Sequence, residues 1–206
     1  MFDLDGTLYD SRHIGARLVL ACPWEAPLLL AERKTRKSLA GCDYGGSETY
    51  YHEFLSRLSL ATRKPEPFLR SWYFDSFMPR MCKVLKKHYQ HRPGLPELFK
   101  TLARKGLKFA VYSDYPMVAE RLHSLGLNPE SCGLIFGPEN FGAQKPAARP
   151  FLSIAEAMNV PPKETLVVGD REDSDGAGAA AAGMSFFKIE TGGDWEEFLK
   201  SLNLAS

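Results

Sequence analysis

Acidic residues placed to do chemistry stand at the front of the chain. Met1-Phe2-Asp3-Leu4-Asp5-Gly6-Thr7-Leu8 alternates carboxylates with apolar residues and then breaks at a glycine. Residues two apart on a strand point to the same side, so Asp3 and Asp5 emerge together near the strand's end. A carboxylate pair there is poorly placed for a core and well placed for a ligand, because parallel α/β sheets bind ligands outside the carboxyl ends of their strands. Three later groups share that placement. Phe109 to Tyr112 is an apolar run ending in Ser113-Asp114, and a hydroxyl with backbone N–H groups at a helix start can bind phosphate oxygens. Lys145 lies in Gln144-Lys145-Pro146, just before a helical pattern; its ammonium is a point charge suited to a phosphoryl group. Val167-Val168-Gly169-Asp170, followed by Asp175, offers hard oxygen ligands of the kind Mg²⁺ takes. Asp173 and Glu172 are rivals to Asp175. Singly, each has an ordinary reading: turn acids, a helix N-cap, a solvated lysine, a capped helix start.

The elements that must position these residues follow from periodicity. Ile14, Leu18, Val19 and Cys22 fall at helical spacing up to Pro23, and Ala26 to Leu39 is a second helical stretch. Ser47 can cap a helix to about Leu60. Pro65 and Pro67 open another, which Pro79 should bend before it resumes to about Tyr89. No strand pattern interrupts residues 11–90. From Pro93 strands and helices alternate: helix Pro96–Lys105, strand Leu107–Tyr112, helix Met117–Leu125, strand Gly133–Phe136, helix Ala148–Met158, strand Thr165–Val168, helix Gly176–Ala182, strand Ser185–Ile189. Asp194 then caps a last helix, with Glu197 completing a capping box. Alternation of this kind implies a parallel sheet covered by helices.

The four groups together resemble the motifs of the haloacid dehalogenase (HAD) superfamily, in family order: Asp3-Leu4-Asp5-Gly6-Thr7-Leu8, the strand ending at Ser113, Lys145 before a helix, and Gly169-Asp170 with Asp175. The resemblance covers residues 1–10 and 93–189. It implies an α/β fold, a Rossmann-like parallel sheet formed by residues 1–10 and 91–206, with residues 11–90 inserted as an all-α, C1-type cap. It implies a Mg²⁺-dependent phosphatase acting on a small phosphomonoester. Asp3 would be the nucleophile that forms an aspartyl-phosphate, and Asp5 the acid and base. Gly6, Thr7, Ser113, Asp114 and Lys145 would bind the phosphoryl group. Asp3, Asp5 through its backbone carbonyl, and Asp170 would hold the metal, with Asp175 beside them. Dehalogenases of the family lack the second acid, so Asp5 favours phosphoryl transfer. A phosphomutase with the same motifs and a non-catalytic HAD-like binding protein are the alternatives.

Composition bounds the remaining classes. The chain of 206 residues has 26 Lys+Arg against 25 Asp+Glu, which gives no basic excess for nucleic acid. Cys22, Cys42, Cys82 and Cys132 form no C-x-x-C pair, so reduced thiols in a cytoplasmic protein are expected. No run is long and apolar enough for a membrane span. The expected partner is a small phosphorylated metabolite, and the expected state a monomer or homodimer. In the insert, Tyr50, Tyr51, Trp72, Tyr73 and Phe74, with Tyr9 just before it, could floor a substrate pocket, though aromatics at helical spacing more often fill a bundle core. Arg12 and His13 lie at the expected hinge. Only Met1 and Phe2 precede Asp3, a short lead into a central strand; an N-terminally extended chain is expected to be more stable and more active.

Overall fold

The sheet sets the position of everything else. The computed structural model describes residues 1–202. Strands β1 (Phe2–Asp3), β2 (Ala110–Tyr112), β3 (Leu134–Phe136), β4 (Leu166–Gly169) and β5 (Ser185–Lys188) lie in the order β3-β2-β1-β4-β5, all parallel. The fold is α/β. β1 is central: Phe2 pairs with Val111 on one side and Val168 on the other. A parallel sheet covered on both faces takes continuous apolar strands, and Ala110, Val111, Tyr112, Val167 and Val168 are all buried. The chain runs outward from β1 through β2 to β3, then returns to β4 beside β1 and runs outward to β5. That reversal opens a crevice at the tips of β1 and β4, where Asp3 and Asp170 stand.

Helices α1 (Ile14–Ala21), α2 (Ala26–Ser38), α3 (Ser47–Thr62), α4 (Glu66–Ser71) and α5 (Met78–His88) follow β1, and α6 (Leu95–Arg104) leads into β2. Leu28, Leu39, Tyr50, Phe54, Leu58, Tyr73 and Met81 of this helical block share one apolar cluster with Phe2, Val111 and Val168 of the sheet. Glu25 ties the block's ends, accepting from Trp72 Nε1 at 2.7 Å and Arg80 Nη2 at 3.0 Å. Helices α7 (Val118–Ser124), α8 (Pro138–Phe141), α9 (Ala148–Met158), α10 (Ala177–Ala181) and α11 (Gly192–Ser201) complete the chain. A second cluster, with Tyr112, Phe151, Ile154 and Val167, lies on the sheet's other side. Among the described residues no single helix is long and apolar enough to cross a membrane.

Several local expectations are corrected. The regular α-helix is interrupted just before Pro79: a π-helical turn at Trp72–Phe77 joins α4 to α5, and Pro79, which has no N–H to give the ladder, is the second residue of α5. Ser47 lies inside α3, after Gly46 as N-cap. The last helix is capped by Thr191, not Asp194. The Asp194 N–H donates to Thr191 Oγ1 at 3.3 Å while Asp194 Oδ2 accepts the Thr191 N–H at 2.7 Å, so the capping box begins three residues early. The strand expected from Leu107 pairs only from Ala110.

Candidate active site

The strand tips open onto a cavity of about 710 Å³ whose core wall includes Asp3, Asp5, Asp114, Lys145, Asp170 and Asp175. Asp3 and Asp5, two residues apart, face different company there.

Around Asp3 the chain gathers acids and one lysine. Lys145 Nζ donates to Asp3 Oδ1 at 2.6 Å, to Asp175 Oδ1 at 2.8 Å and to the Tyr112 carbonyl at 3.2 Å. Thr7 Oγ1 donates to Asp3 Oδ2 at 2.9 Å. Gly6 has φ +95°, and a Cβ there would lie 2.2 Å from Asp170 Oδ2; glycine both permits the turn and admits Asp170. Asp3, Asp170 and Asp175 each bring an oxygen within 4.8 Å of the others. Burial first, then the neighbouring Asp175, pushes the Asp170 carboxyl up to about 6. Burial also raises Asp3 well above the carboxylate range; Lys145 opposes this, while Asp175, Asp170 and Asp5 add to it. Burial works against the Lys145 ammonium, but Asp175 and Asp3 outweigh it and hold the lysine charged. Hard oxygen donors crowded into one buried corner fit a divalent cation such as Mg²⁺, whose charge would relieve the repulsion. Asp173 is exposed and bonded to Arg171 at 2.8 Å, and Glu172 is also exposed, so neither belongs to the cluster.

Asp5 is surrounded by donors. Its Oδ1 accepts from Tyr9 Oη at 2.6 Å and from Arg121 Nη2, and its Oδ2 from Ser113 Oγ at 2.9 Å. Burial would raise this carboxyl, but Arg121, Tyr9 and Ser113 prevail and hold it below the usual range. Arg121, on α7, is fully buried and also donates to Ser113 Oγ at 3.0 Å and the Tyr115 carbonyl at 3.3 Å. The Ser113 hydroxyl, expected on phosphate, is here directed at Asp5. Asp114 Oδ1 accepts the Lys145 backbone N–H at 3.0 Å, which fixes the loop carrying the lysine. Arg92 donates to the Thr7 carbonyl at 2.7 Å and the Gly6 carbonyl at 3.0 Å, securing the turn after β1.

The opposite wall comes from helices that follow β1 in the chain. Arg36 donates to the Asp114 carbonyl at 2.9 Å and Tyr73 Oη at 2.8 Å, pairs with buried Glu32, and lies 3.7 Å from the centre of the Tyr115 ring. Of the candidate aromatics only Tyr9 lines the cavity. Tyr50, Tyr51, Trp72 and Tyr73 are buried in the apolar cluster and Phe74 packs against it. Phe77 and Tyr115 line the cavity instead, and so does His13, while Arg12 is exposed and paired with Asp10. Arg121, Arg92 and the Arg36–Glu32 pair join the site without belonging to any of the four sequence motifs.

Residues 1–183 match the family model of the haloacid dehalogenase-like hydrolases. The chain is 29% identical over 191 residues to a phosphoglycolate phosphatase of Aquifex aeolicus, covering 88% of this chain and 79% of that protein. It is 27% identical over 201 residues to a glyceraldehyde 3-phosphate phosphatase of Methanopyrus kandleri, covering 93% and 83%. Among solved structures, a magnesium-bound HAD hydrolase of Bacillus subtilis superposes with a TM-score of 0.62 at 20% identity, covering 98% of this chain and 96% of that one. A 2-haloacid dehalogenase of Pseudomonas syringae has a TM-score of 0.61 at 20% identity, covering 98% and 97%.

Proposed function

Because this chain belongs to the haloacid dehalogenase-like hydrolases, we infer that it is a Mg²⁺-dependent phosphatase that hydrolyses a small phosphomonoester through an aspartyl-phosphate on Asp3. The observation that carries the reading is the Asp3 corner. A buried carboxylate at a central strand tip is fixed by Lys145 and Thr7 and crowded by Asp170 and Asp175. Named relatives acting on phosphoglycolate and glyceraldehyde 3-phosphate support the substrate class.

Asp3 would attack phosphorus, forming its new O–P bond as the bond to the leaving oxygen breaks. Lys145 and Thr7 hold the carboxylate in one orientation, which lowers the entropic part of the barrier. Lys145 would also face the phosphoryl oxygens. Asp5 would take the proton from the water that cleaves the aspartyl-phosphate, a role suited to a carboxylate held ionised by Arg121. Delivering a proton to the leaving oxygen in the first step would require Asp5 to loosen from Arg121. Mg²⁺, held by Asp3 and Asp170 with Asp175 beside them, would offset repulsion between carboxylate and phosphate. Asp5 also favours phosphoryl transfer over carbon–halogen cleavage, which needs no second acid. The inserted helices, facing the strand tips, would act as a cap that excludes water and contacts the leaving group.

The test is phosphate release from a panel of phosphomonoesters by purified protein with Mg²⁺. Turnover of at least one ester is expected, removed by EDTA and lowered about 10⁴-fold or more in Asp3→Asn. Undiminished turnover in that variant would sink the nucleophile assignment.

A further inference from the structure

The cavity is larger than a phosphoryl group needs, and its insert wall is divided. One part is apolar, with Ile14, Leu18, Leu29 and Phe77. The other is basic, from the last turns of α2. A cavity of about 710 Å³ is of the size that encloses a small organic molecule, so the leaving group must meet this wall.

The basic side chains of the cavity differ in what engages them. Lys145 is bonded to Asp3 and Asp175, Arg36 to Glu32, and Arg171 to Asp173. Arg33 and Lys37 line the same cavity, are exposed, and have no side-chain hydrogen bond or ion pair among the described residues. Four residues apart on α2, they lie on one face of the helix, about 6 Å apart at Cβ. They face a core wall rich in carboxylates, against which an anionic ligand would be repelled unless cations receive it.

We propose that the substrate carries a second anionic group, which Arg33 and Lys37 bind while the reacting phosphoryl group sits at Asp3. This rests on the phosphatase reading and narrows it: the substrate is a phosphomonoester of an acid or a bisphosphate, not of a neutral alcohol. The apolar wall takes the short carbon segment between the two charges. Arg36 is excluded from the role because its guanidinium already joins the insert to the Asp114 loop. Arg33 and Lys37 are specificity residues, and their effect falls on binding of the distal group.

The experiment compares kcat/KM for three esters of similar size: phosphoglycolate, a short-chain bisphosphate, and ethyl phosphate, which has no second charge. Wild-type protein is expected to favour one or both dianchored esters over ethyl phosphate by at least tenfold. The double variant Arg33→Gln/Lys37→Gln is expected to remove most of that ratio, mainly through KM. Which ester is favoured identifies the distal group as carboxylate or phosphate. Arg33→Lys should retain the preference and Lys37→Glu should invert it towards phosphoethanolamine. Equal use of all three esters by the wild type would overturn the proposal, and so would a double variant whose ratio is unchanged. Phosphate release from none of these esters, nor from an aryl phosphate assayed beside them, would instead overturn the phosphatase reading.

Discussion

Asp3 and Asp5 leave the same strand tip and end in opposite electrostatic surroundings. Asp3 shares its corner with Asp170 and Asp175, and burial with that crowding raises it. Asp5 receives hydrogen bonds from Tyr9, Ser113 and Arg121, which hold it low despite burial. Two like groups two residues apart are thereby given different protonation preferences, and environments that separate paired titratable groups are how sites divide acid, base and nucleophile roles. The difference lies in the neighbours that the topology supplies. β4 and the turn after it bring acids to Asp3, and β2 with α7 brings an arginine to Asp5.

The largest expected effect tests the Asp5 corner. Arg121→Met leaves a buried carboxylate without its cation, and breaking such a pair costs about 3–5 kcal/mol. Chemical denaturation should show that loss. The double variant Arg121→Met/Asp5→Asn should be more stable than Arg121→Met alone, because the second change removes the unpaired charge. A double variant less stable than Arg121→Met by the full cost of an independent Asp5→Asn change would mean that the two groups do not act as a pair.

The Asp3 corner should respond to a metal instead. Mg²⁺ at about a hundredfold over its dissociation constant should stabilise the protein by about 2.7 kcal/mol, read as a rise in melting temperature. Asp170→Asn removes one donor and also relieves crowding. The variant should therefore match or exceed the metal-free wild type in stability while losing most of the Mg²⁺ response. A full Mg²⁺ shift in Asp170→Asn would place the cation elsewhere.

The two corners also differ in how legible they were. Asp3, Lys145, Asp170 and Asp175 follow apolar strands or precede a helix, so local pattern marks them. Arg121 carries no such mark, since a buried arginine and a solvated one look alike in a chain. Its signal was positional. Val118, Leu122 and Leu125 are the apolar face of α7, and Arg121 falls on that face at helical spacing. Glu32 and Thr35 of α2 stand likewise between Leu28 and Leu39, the residue that closes the helix, and all four are buried. A charge on an apolar stripe predicts a buried partner, and that partner comes from another element, which periodicity does not report. The sheet was legible from alternation, whereas the π turn before Pro79 and the Thr191 cap depended on hydrogen bonds that only the packed chain selects.

The smallest effect provides the scale for the Arg121–Asp5 pair. Asp43, in the loop between α2 and α3, accepts from Arg149 of α9 at 2.6 and 2.7 Å. This pair has the geometry of a bidentate ion pair without the burial, as its side chains are 31% and 40% exposed. Hydrogen bonding to Arg149 lowers the Asp43 carboxyl below its ordinary value. A lowered acid contributes stability that is present in full above the unfolded-state value near 4 and is lost as pH falls through the folded value. Solvent screening keeps that contribution to about 0.5 kcal/mol. Asp43→Asn should therefore shift stability by about that amount at pH 7 and by nothing measurable at pH 2. If Asp43→Asn cost as much as Arg121→Met at neutral pH, burial would not be what distinguishes the Asp5 corner. The contrast between a clamped acid and a crowded one would then reduce to a count of hydrogen bonds.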